Sequence, residues 1–358
     1  MELTFADVLE IYNGRNQRHV ENPAGKYPIY GSGGVMGFAD DFICPENTVV
    51  IGRKGNINKP IFVTMPFWNV DTAFGLVAKS GILLPKYLYY FCEWFDFEKL
   101  NTTVTIPSLT KANLLQIHIH LPSMEDQWKI VQKFEAVESL ISHRQDEIHA
   151  LDQLIKARFV EMFGECEELV PAGTIMSEMR NGISPSTSGK HHEKVLTLSA
   201  ITQGRFDPTM WKDGAFDTEP PTEKRISAYD FYMCRGNGNK KLVGAGVYSA
   251  EDRRDLVFPD TVIAARVDTS RVCLPYLFVA WMQPDVRDQI ETGARTTNGT
   301  YKINQQVISS IKIPLPNLAQ QKQFATFVSQ VDKSKLSIQA SLTQLETLKQ
   351  SLMQKYFG

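Results

Sequence analysis

Two segments of the chain place hydrophobic residues at alternating spacings of four and three. They are residues 121–164 and 315–358, each 44 residues from Leu-Pro to Phe-Gly. Because an α-helix has about 3.6 residues per turn, this spacing forms one stripe along a helix, and over more than four heptads it is typical of a coiled coil. The stripe positions are Ile130, Phe134, Val137, Ile141, Arg144, Ile148, Leu151, Ile155, Arg158 and Met162, and then Phe324, Val328, Val331, Lys335, Ile338, Leu342, Leu345, Lys349, Leu352 and Tyr356. The pattern predicts a long helix at the end of each half of the chain.

The two stripes are interrupted by polar residues at different places, two arginines in the first helix and two lysines in the second. A stripe of this length cannot be buried within its own helix. Pairing of the two helices, antiparallel, is therefore the most economical arrangement. The alternative is that each helix packs separately on its own half of the chain.

Upstream of each long helix, short β-rich runs alternate with Gly, Asn and Pro. They predict strands at 47–51, 76–78, 116–121, 261–265 and 308–315. The segments LPKYLYYFCEWF (84–95) and LPYLFVAWMQ (274–283) predict short buried helices, and the glycines of YGSGG (30–34) predict a tight turn. Each half is therefore predicted to be an α+β domain of irregular strands followed by a long helix.

The whole chain is an internal repeat. The two helical segments align without a gap, 194 positions apart, and three landmarks upstream recur in the same order with smaller offsets. These landmarks pair Leu84-Pro85 with Leu274-Pro275, KGNINK (54–59) with RGNGNK (235–240), and Asn13-Gly14 with Asn181-Gly182. The repeat predicts two similar domains, 1–122 and 165–316, followed by helices at 123–164 and 317–358.

Composition places the chain among soluble globular proteins of about two domains. It has 358 residues, 43% of them hydrophobic and 22% charged, with a net charge of −2. No run approaches 18 apolar residues, and the first ten residues lack a signal-peptide pattern, so we expect a cytoplasmic protein without a membrane partner. The five cysteines include no Cys-x-x-Cys pair, and we expect them to be reduced and mostly buried.

The search for catalytic motifs is mostly negative. Residues 182–190 (GISPSTSGK) resemble a phosphate-binding loop, but the glycines are too far apart and His191 replaces the magnesium-binding Ser or Thr. His118 and His120 alternate on a strand-like run, and His191 and His192 fall in a polar loop, in neither case with a further metal ligand at suitable spacing. The sequence favours a binding protein with no metal site and no catalytic residue.

Two polar loops that recur in both halves are candidates for contact with nucleic acid. Their glycines allow close backbone approach, and their cations and asparagines suit phosphates and base edges. A solvated turn is the alternative interpretation. A second pair of segments, the hydroxyl-rich runs TTVTIPS (102–108) and GARTTNGTYK (293–302), precedes the last strand of each half. The candidate DNA-binding residues are Arg53, Lys54, Asn56, Asn58, Lys59 and Lys111 in the first half, and Arg235, Asn237, Asn239, Lys240, Lys241, Arg295, Asn298 and Lys302 in the second.

In this order the motifs resemble the specificity (S) subunits of Type I restriction-modification enzymes, over essentially the whole chain. The resemblance is carried by NGRNQ (13–17), KYPIYGSGGVMGFAD (26–40), VVIGRKGNINKP (49–60), SLTKANLLQIHIHLPSMEDQWKIV (108–131), ISSIKIPLPNLAQQKQF (308–324) and SLMQKYFG (351–358). The second half departs from this pattern because it has no close copy of YPIYGSGGVMG.

The resemblance implies two target-recognition domains joined by paired spacer helices, each domain recognising one half of a split site in double-stranded DNA. It also implies two methylation (M) subunits and, in the full complex, two restriction (R) subunits. S-adenosylmethionine, ATP and Mg²⁺ would belong to those partners, with no cofactor in this chain. Two alternatives stay open: a stand-alone nuclease or methyltransferase with an unrecognised site, and a coiled-coil adaptor that contacts only proteins.

Overall fold

The computed structural model describes residues 2–101, 108–297 and 299–358. The chain folds as two compact units. The first contains Met1–Glu147 with Ile338–Gly358, and the second contains Ile148–Ser337. Both long helices are divided between the units, so each unit holds the first part of one helix and the last part of the other.

The first unit is built from nine strands, three short helices and parts of the two long helices. Its strands are β1 (Glu2–Thr4), β2 (Leu9–Asn13), β3 (Tyr27–Gly31), β4 (Gly34–Ala39), β5 (Thr48–Gly52), β6 (Ile61–Val63), β7 (Trp68–Asn69), β8 (Ala73–Ala78) and β9 (His118–His120). Its helices are α1 (Phe5–Val8), α2 (Pro85–Trp94), α3 (Lys111–Leu115) and the start of α4 (Met124–Phe163). These counts refer to residues 2–101, 108–147 and 338–358.

The second unit repeats this order with additional strands. Its strands are β10 (Leu169–Pro171), β11 (Met176–Asn181), β12 (His191–Leu196), β13 (Trp211–Phe216), β14 (Arg225–Ile226), β15 (Asp230–Cys234), β16 (Gly236–Asn237), β17 (Gly246–Tyr248), β18 (Arg253–Val257), β19 (Val262–Val267), β20 (Arg295–Thr297), β21 (Thr300–Lys302) and β22 (Lys312–Pro314). Its helices are α5 (Ser199–Thr202), α6 (Leu274–Trp281), α7 (Pro284–Gly293), α8 (Gln305–Ser310) and the start of α9 (Leu318–Phe357).

The two units share one sheet topology. A four-stranded sheet has the order β2-β8-β5-β6 in the first unit and β11-β19-β15-β17 in the second. A second sheet in each combines an antiparallel hairpin with a parallel strand, in the order β4-β3-β7 in the first unit and β13-β12-β18-β14 in the second. The predicted duplication is therefore confirmed. The hairpin β12–β13 also gives the second unit a counterpart of YPIYGSGGVMG that its sequence does not reveal.

Aromatic side chains join each globule to the last turn of the helix that belongs to the other half of the sequence. In the first unit the ring of Phe357, at the end of α9, lies 5.2 Å from that of Tyr87. In the second unit Phe163, at the end of α4, lies 5.0 Å from Tyr276. These are equivalent pairs in the repeat, so both units bury their helix ends in the same way. The alternative that each helix packs only on its own half is wrong.

Charged pairs fix the antiparallel register of α4 and α9. Lys349 Nζ lies 2.7 Å from Glu138 Oε1 in the first unit, and Lys335 Nζ lies 2.6 Å from Asp152 Oδ1 in the second. Because the two pairs are the same number of residues apart on both helices, they specify one register. Burial alone would lower the pKa of Lys349, but its hydrogen bonds to Glu138 and Glu93 outweigh burial and raise that pKa. The predicted antiparallel pairing is thus confirmed.

A buried glutamine in each unit ties the start of the long helix to the globule. The Gln127 amide accepts a hydrogen bond from Leu84 N (2.9 Å) and donates to Ile82 O and Pro122 O. Gln321 makes the same three bonds in the second unit, accepting one from Cys273 N (3.0 Å). Both side chains are fully buried. Sequence reasoning missed these residues, although their equivalent positions after the two Leu-Pro dipeptides were a usable signal.

The equivalent hydrogen bonds correct the predicted alignment by one residue at two landmarks. Leu84 corresponds to Cys273 rather than to Leu274, since both donate to the buried glutamine. Arg53, not Lys54, corresponds to Arg235, since the carbonyls of both arginines accept an equivalent backbone hydrogen bond, from Leu109 N or Ile303 N. Motifs as short and common as Leu-Pro or two adjacent cations cannot align the two halves to within one residue.

Two local predictions are also wrong. Residues 308–315, predicted as one strand, begin within α8, because the Asn304 side chain accepts a hydrogen bond from Val307 N and caps a helix there. Only Lys312–Pro314 of this run form a strand, β22. His191 and His192, predicted to lie in a loop, begin β12. Helix capping and strand pairing outweighed the local composition in both places.

Replacing Gln127 with Leu should destabilise the first unit. The variant keeps the side-chain volume but leaves three part-buried backbone groups without their partner, at about 1–3 kcal/mol for each unsatisfied group before relaxation. We expect a total loss of about 2–4 kcal/mol, measured by urea unfolding. The control is Gln132→Leu on the exposed side of α4, which should change stability by less than about 0.5 kcal/mol. Equal effects of the two variants would contradict the role of Gln127.

Candidate nucleic-acid interface

One arginine occupies the same backbone position in each unit. Arg53 follows β5, its N–H donates to Thr72 O (2.8 Å), and its carbonyl accepts from Leu109 N (2.9 Å). Arg235 follows β15, its N–H donates to Thr261 O (2.8 Å), and its carbonyl accepts from Ile303 N (2.9 Å). Both loops therefore leave their central sheets at one equivalent point.

In the first unit the loop after Arg53 is pinned at its middle and exposed on both sides. Ile57 is buried in the core, whereas Lys54, Asn56 and Lys59 are exposed. Gly52 permits the tight exit from β5, because a Cβ there would lie 2.3 Å from Asn56 O. The loop thus presents two cations and an amide to solvent from a fixed backbone.

Two of the predicted contact residues in the first unit have internal hydrogen bonds. The Asn58 amide donates to Asp96 Oδ1 (2.8 Å) and accepts from Phe97 N (2.7 Å). Lys111 Nζ donates to Ile11 O (2.8 Å) at the free edge of β2. Both side chains hold the fold together, and their contact with DNA stays a prediction.

In the second unit the two candidate segments form one small sheet. β16 of the Arg235 loop pairs with β21, and β21 pairs with β20, giving the order β16-β21-β20. Across the hairpin Arg295 lies opposite Lys302, and Lys302 lies opposite Gly236. The sequence proposed these segments separately, and the structure brings them together.

The two faces of this sheet differ. Tyr301 is half-buried and packs against the core of the unit, which makes its face the inner one. Lys302 follows Tyr301 on β21 and Arg295 lies opposite Lys302 on β20, so both point to the other face, where they are exposed. Like charges directly opposite each other on a hairpin repel. No salt bridge among the described residues neutralises this pair. The outer face is therefore an exposed cationic surface suited to an anionic ligand.

The turn after β16 is ordered by its own asparagines. Asn237 accepts a hydrogen bond from Asn239 N (2.9 Å), and Asn239 accepts one from Lys241 N (3.0 Å). Lys241 is exposed and Lys240 is half-buried on the short 3₁₀ turn that follows. Asn298 and residues 102–107, which include part of the hydroxyl-rich segment, lie outside the described residues.

Buried groups beneath the turn keep it rigid. Arg287 donates from Nη2 to Lys241 O (3.0 Å) and Val243 O (2.9 Å), and burial lowers its pKa. The Cys234 thiol lies 3.5 Å from Gly236 O, and burial raises its pKa to about 11. Cys234 is therefore a neutral packing group at neutral pH, as expected for a buried cysteine without a redox partner.

A second basic surface in the first unit was not predicted as a whole. Lys79, Lys111 and Arg15 line a groove of about 680 Å³ beside β2. Lys79 Nζ donates to Ala6 O (2.9 Å) and Asp7 O (3.0 Å) at the end of α1. Because two of the three cations are engaged with carbonyl groups, we assign the groove no ligand.

The described residues contain no group of three or more His, Cys, Asp or Glu side chains placed to hold a metal ion. In particular, His118 and His120 both point to solvent from β9. Among these residues no helix combines the length and apolarity needed to cross a membrane.

A family model described as "Type I restriction modification DNA specificity domain" matches residues 1–150 and 279–349. The chain belongs to this family. A similar curated protein is the specificity subunit of the Type I restriction enzyme StySPI from Salmonella potsdam, which is 22% identical over 351 residues, covering 88% of this chain and 74% of that protein.

Two solved structures share the fold of this specificity-family chain. The S subunit of a Type I restriction-modification system from M. genitalium has a TM-score of 0.59 at 16% identity, covering 100% of this chain and 96% of that chain. A chain solved in work on the assembly and conformational transition of the type I R-M system has a TM-score of 0.60 at 15% identity, covering 100% and 97%. The predicted α+β architecture of two domains with paired long helices is confirmed.

Family membership also decides between the open alternatives. The chain is a DNA specificity subunit, the non-catalytic component of a Type I restriction-modification complex, in which the M and R subunits use the cofactors. The stand-alone enzyme and the adaptor that contacts only proteins are both set aside.

Two asparagines of one loop should respond differently to substitution. Asn58→Ala removes two internal hydrogen bonds and should lower the stability of the first unit by about 1–3 kcal/mol. Asn56→Ala removes an exposed amide and should change stability by less than about 0.5 kcal/mol while altering DNA binding. Thermal unfolding and duplex binding of both variants measure the difference. A stable Asn58→Ala protein would show that its bonds to Asp96 and Phe97 are unimportant.

Proposed function

We propose that each unit of this specificity subunit recognises one half of a bipartite DNA target, while the chain as a whole organises two M subunits and two R subunits. The observation that carries the proposal is the repetition of one topology with a cationic loop at the same exit from the central sheet. Two similar units with different loop sequences suit two different half-sites. The proposal includes two copies of each partner subunit and a cytoplasmic location for the complex.

The contact surface proposed for the second unit is the outer face of β16-β21-β20. Arg295 and Lys302 are two unneutralised cations on an exposed hairpin, and a two-stranded β-ribbon fits the major groove of B-DNA. Gly236, opposite Lys302, makes room for that lysine, because a Cβ at position 236 would lie 3.2 Å from Lys302 Cγ. In the first unit the corresponding surface is the loop that contains Lys54, Asn56 and Lys59.

The overall charge of the chain supports a local rather than a global electrostatic contact. A net charge of −2 provides no general attraction to a polyanion. The salt slope is the steepness with which the logarithm of affinity falls as the logarithm of salt concentration rises. Removing a lysine or arginine that binds a phosphate should reduce this slope by about 0.9. The salt slope therefore measures how many phosphate contacts these surfaces make.

The double variant Arg295→Ala/Lys302→Ala tests the second surface. In the complex assembled with its M subunits, we expect weaker duplex binding and a salt slope smaller by about 1.8, because two phosphate contacts are lost. The measurement is affinity over a range of salt concentrations. Lys333→Ala, on the exposed side of α9, is the charge control and should leave the slope unchanged. An unaltered slope in the double variant would remove this hairpin from the interface.

The paired helices are proposed to act as the spacer between the half-sites, with 123–164 and 317–358 as spacer segments and 1–122 and 165–316 as recognition domains. In the register set by Lys349 and Glu138, residue 147 is level with residue 340. Insertions at these two points should therefore stay paired. The unread gap is the stretch of base pairs between the two half-sites that neither unit recognises. The effect of the insertions on its length tests the spacer role directly.

Inserting one heptad after Glu147 and one after Ala340 should lengthen the unread gap. A heptad preserves the 3.5-residue seam and adds about 10 Å, close to three base pairs. Mapping of methylated adenines in cells that carry the complete system should show unchanged half-sites with a longer gap. A single, unmatched insertion is the control, since it misaligns the charged pairs and should reduce assembly. An unchanged gap in the doubly inserted protein would exclude the spacer role.

A further inference from the structure

The internal repeat allows the two recognition loops to be compared position by position. Arg53 and Arg235 are the same residue at the same backbone position. Beyond them the loops differ in length, since residues 54–60 lead to β6 whereas residues 236–245 lead to β17. A Gly-Asn-x-Asn-Lys run recurs after each arginine but one position out of step, and its asparagines make different hydrogen bonds. The arginine is thus the last residue of the two loops with the same backbone bonds.

The shared arginine is not explained by a shared internal contact. The Arg53 guanidinium is exposed and lies 5.8 Å from the ring centre of Phe74. The Arg235 guanidinium is half-buried and donates from Nη1 to Asp260 O (3.2 Å). A guanidinium carries five N–H donors, so most of the donors of each side chain are available to a ligand.

The backbone around each arginine fixes where its side chain begins. In both units the arginine N–H donates to the threonine carbonyl of an Asp-Thr dipeptide, 71–72 or 260–261. Its C=O accepts from the residue before the N-cap of the next helix, Leu109 before α3 or Ile303 before α8. The side chain therefore starts from the same point in each unit. Such placement suits contact with an element that both half-sites possess.

We propose that Arg53 and Arg235 are paired phosphate anchors, each binding the DNA backbone of its own half-site, and that the diverged residues after them select the bases. A residue common to both loops cannot specify two different sequences, whereas the phosphate backbone is the same at every site. Guanidinium groups bind phosphate in bidentate geometry, which sets the register of the loops that follow. This inference rests on the proposed recognition of DNA by both units.

Removing either arginine should weaken binding without changing the sequence recognised. In the full chain assembled with its M subunits, Arg53→Ala and Arg235→Ala should each lower affinity roughly tenfold and reduce the salt slope by about 0.9. The methylated half-sites should stay the same. A change of base preference at either half-site, or an unchanged slope in both variants, would overturn the proposal.

Matched variants separate this inference from its alternatives. Arg53→Lys and Arg235→Lys keep the charge and should retain the slope, so a variant that fails to fold as alanine still leaves the proposal testable. Asn56→Ala and Lys241→Ala, which lie in the diverged parts of the loops, should alter base preference in one half-site each. If they leave both half-sites unchanged while the arginine variants alter them, the assignment of roles is reversed and the proposal fails. Absence of salt-dependent binding by the unmodified complex would instead refute the proposed function itself.

Discussion

The antiparallel seam between α4 and α9 is the constraint on which both units depend. Each helix carries an apolar stripe that its own half of the sequence covers only in part, and the remainder is covered by the other helix. The pairs Lys349–Glu138 and Lys335–Asp152 permit one register, because sliding the helices by a residue would separate both pairs. The seam therefore decides which helix end completes which globule.

The long helices could be predicted from the sequence because their signal is periodic and long. Ten stripe positions in each helix agree on one phase, so four polar interruptions do not obscure it. Short elements lack this redundancy. At 305–310 a single asparagine cap overrides the β-branched residues, and residues 308–310 are helical. Similarly, the alignment of Arg53 with Arg235 depends on hydrogen bonds that no local pattern records.

Only those features of the candidate interface that local composition reveals could be predicted from the sequence. Loops rich in Gly, Asn and Lys could be recognised, but the asparagines within them could not be sorted. Asn58 is distinguished from Asn56 by Asp96 and Phe97, which lie about forty positions away. The sheet β16-β21-β20 joins residues more than sixty positions apart, and such pairing is invisible before the fold is known. Sequence reasoning thus identified candidate segments and could not assign a role to each side chain.

The packing of Phe357 on Tyr87 has a consequence for folding during synthesis. The first unit lacks its final helix segment until Ile338–Gly358 has been made, although the rest of that unit is complete at Glu147. At about 5–20 residues per second, the ribosome needs roughly 10–40 s to supply the missing segment. During this interval the nascent chain carries an uncovered aromatic pocket around Tyr87, Phe91 and Phe134. The most vulnerable moment of this protein is therefore set by translation speed, and slow codons in the second half of its message would prolong it.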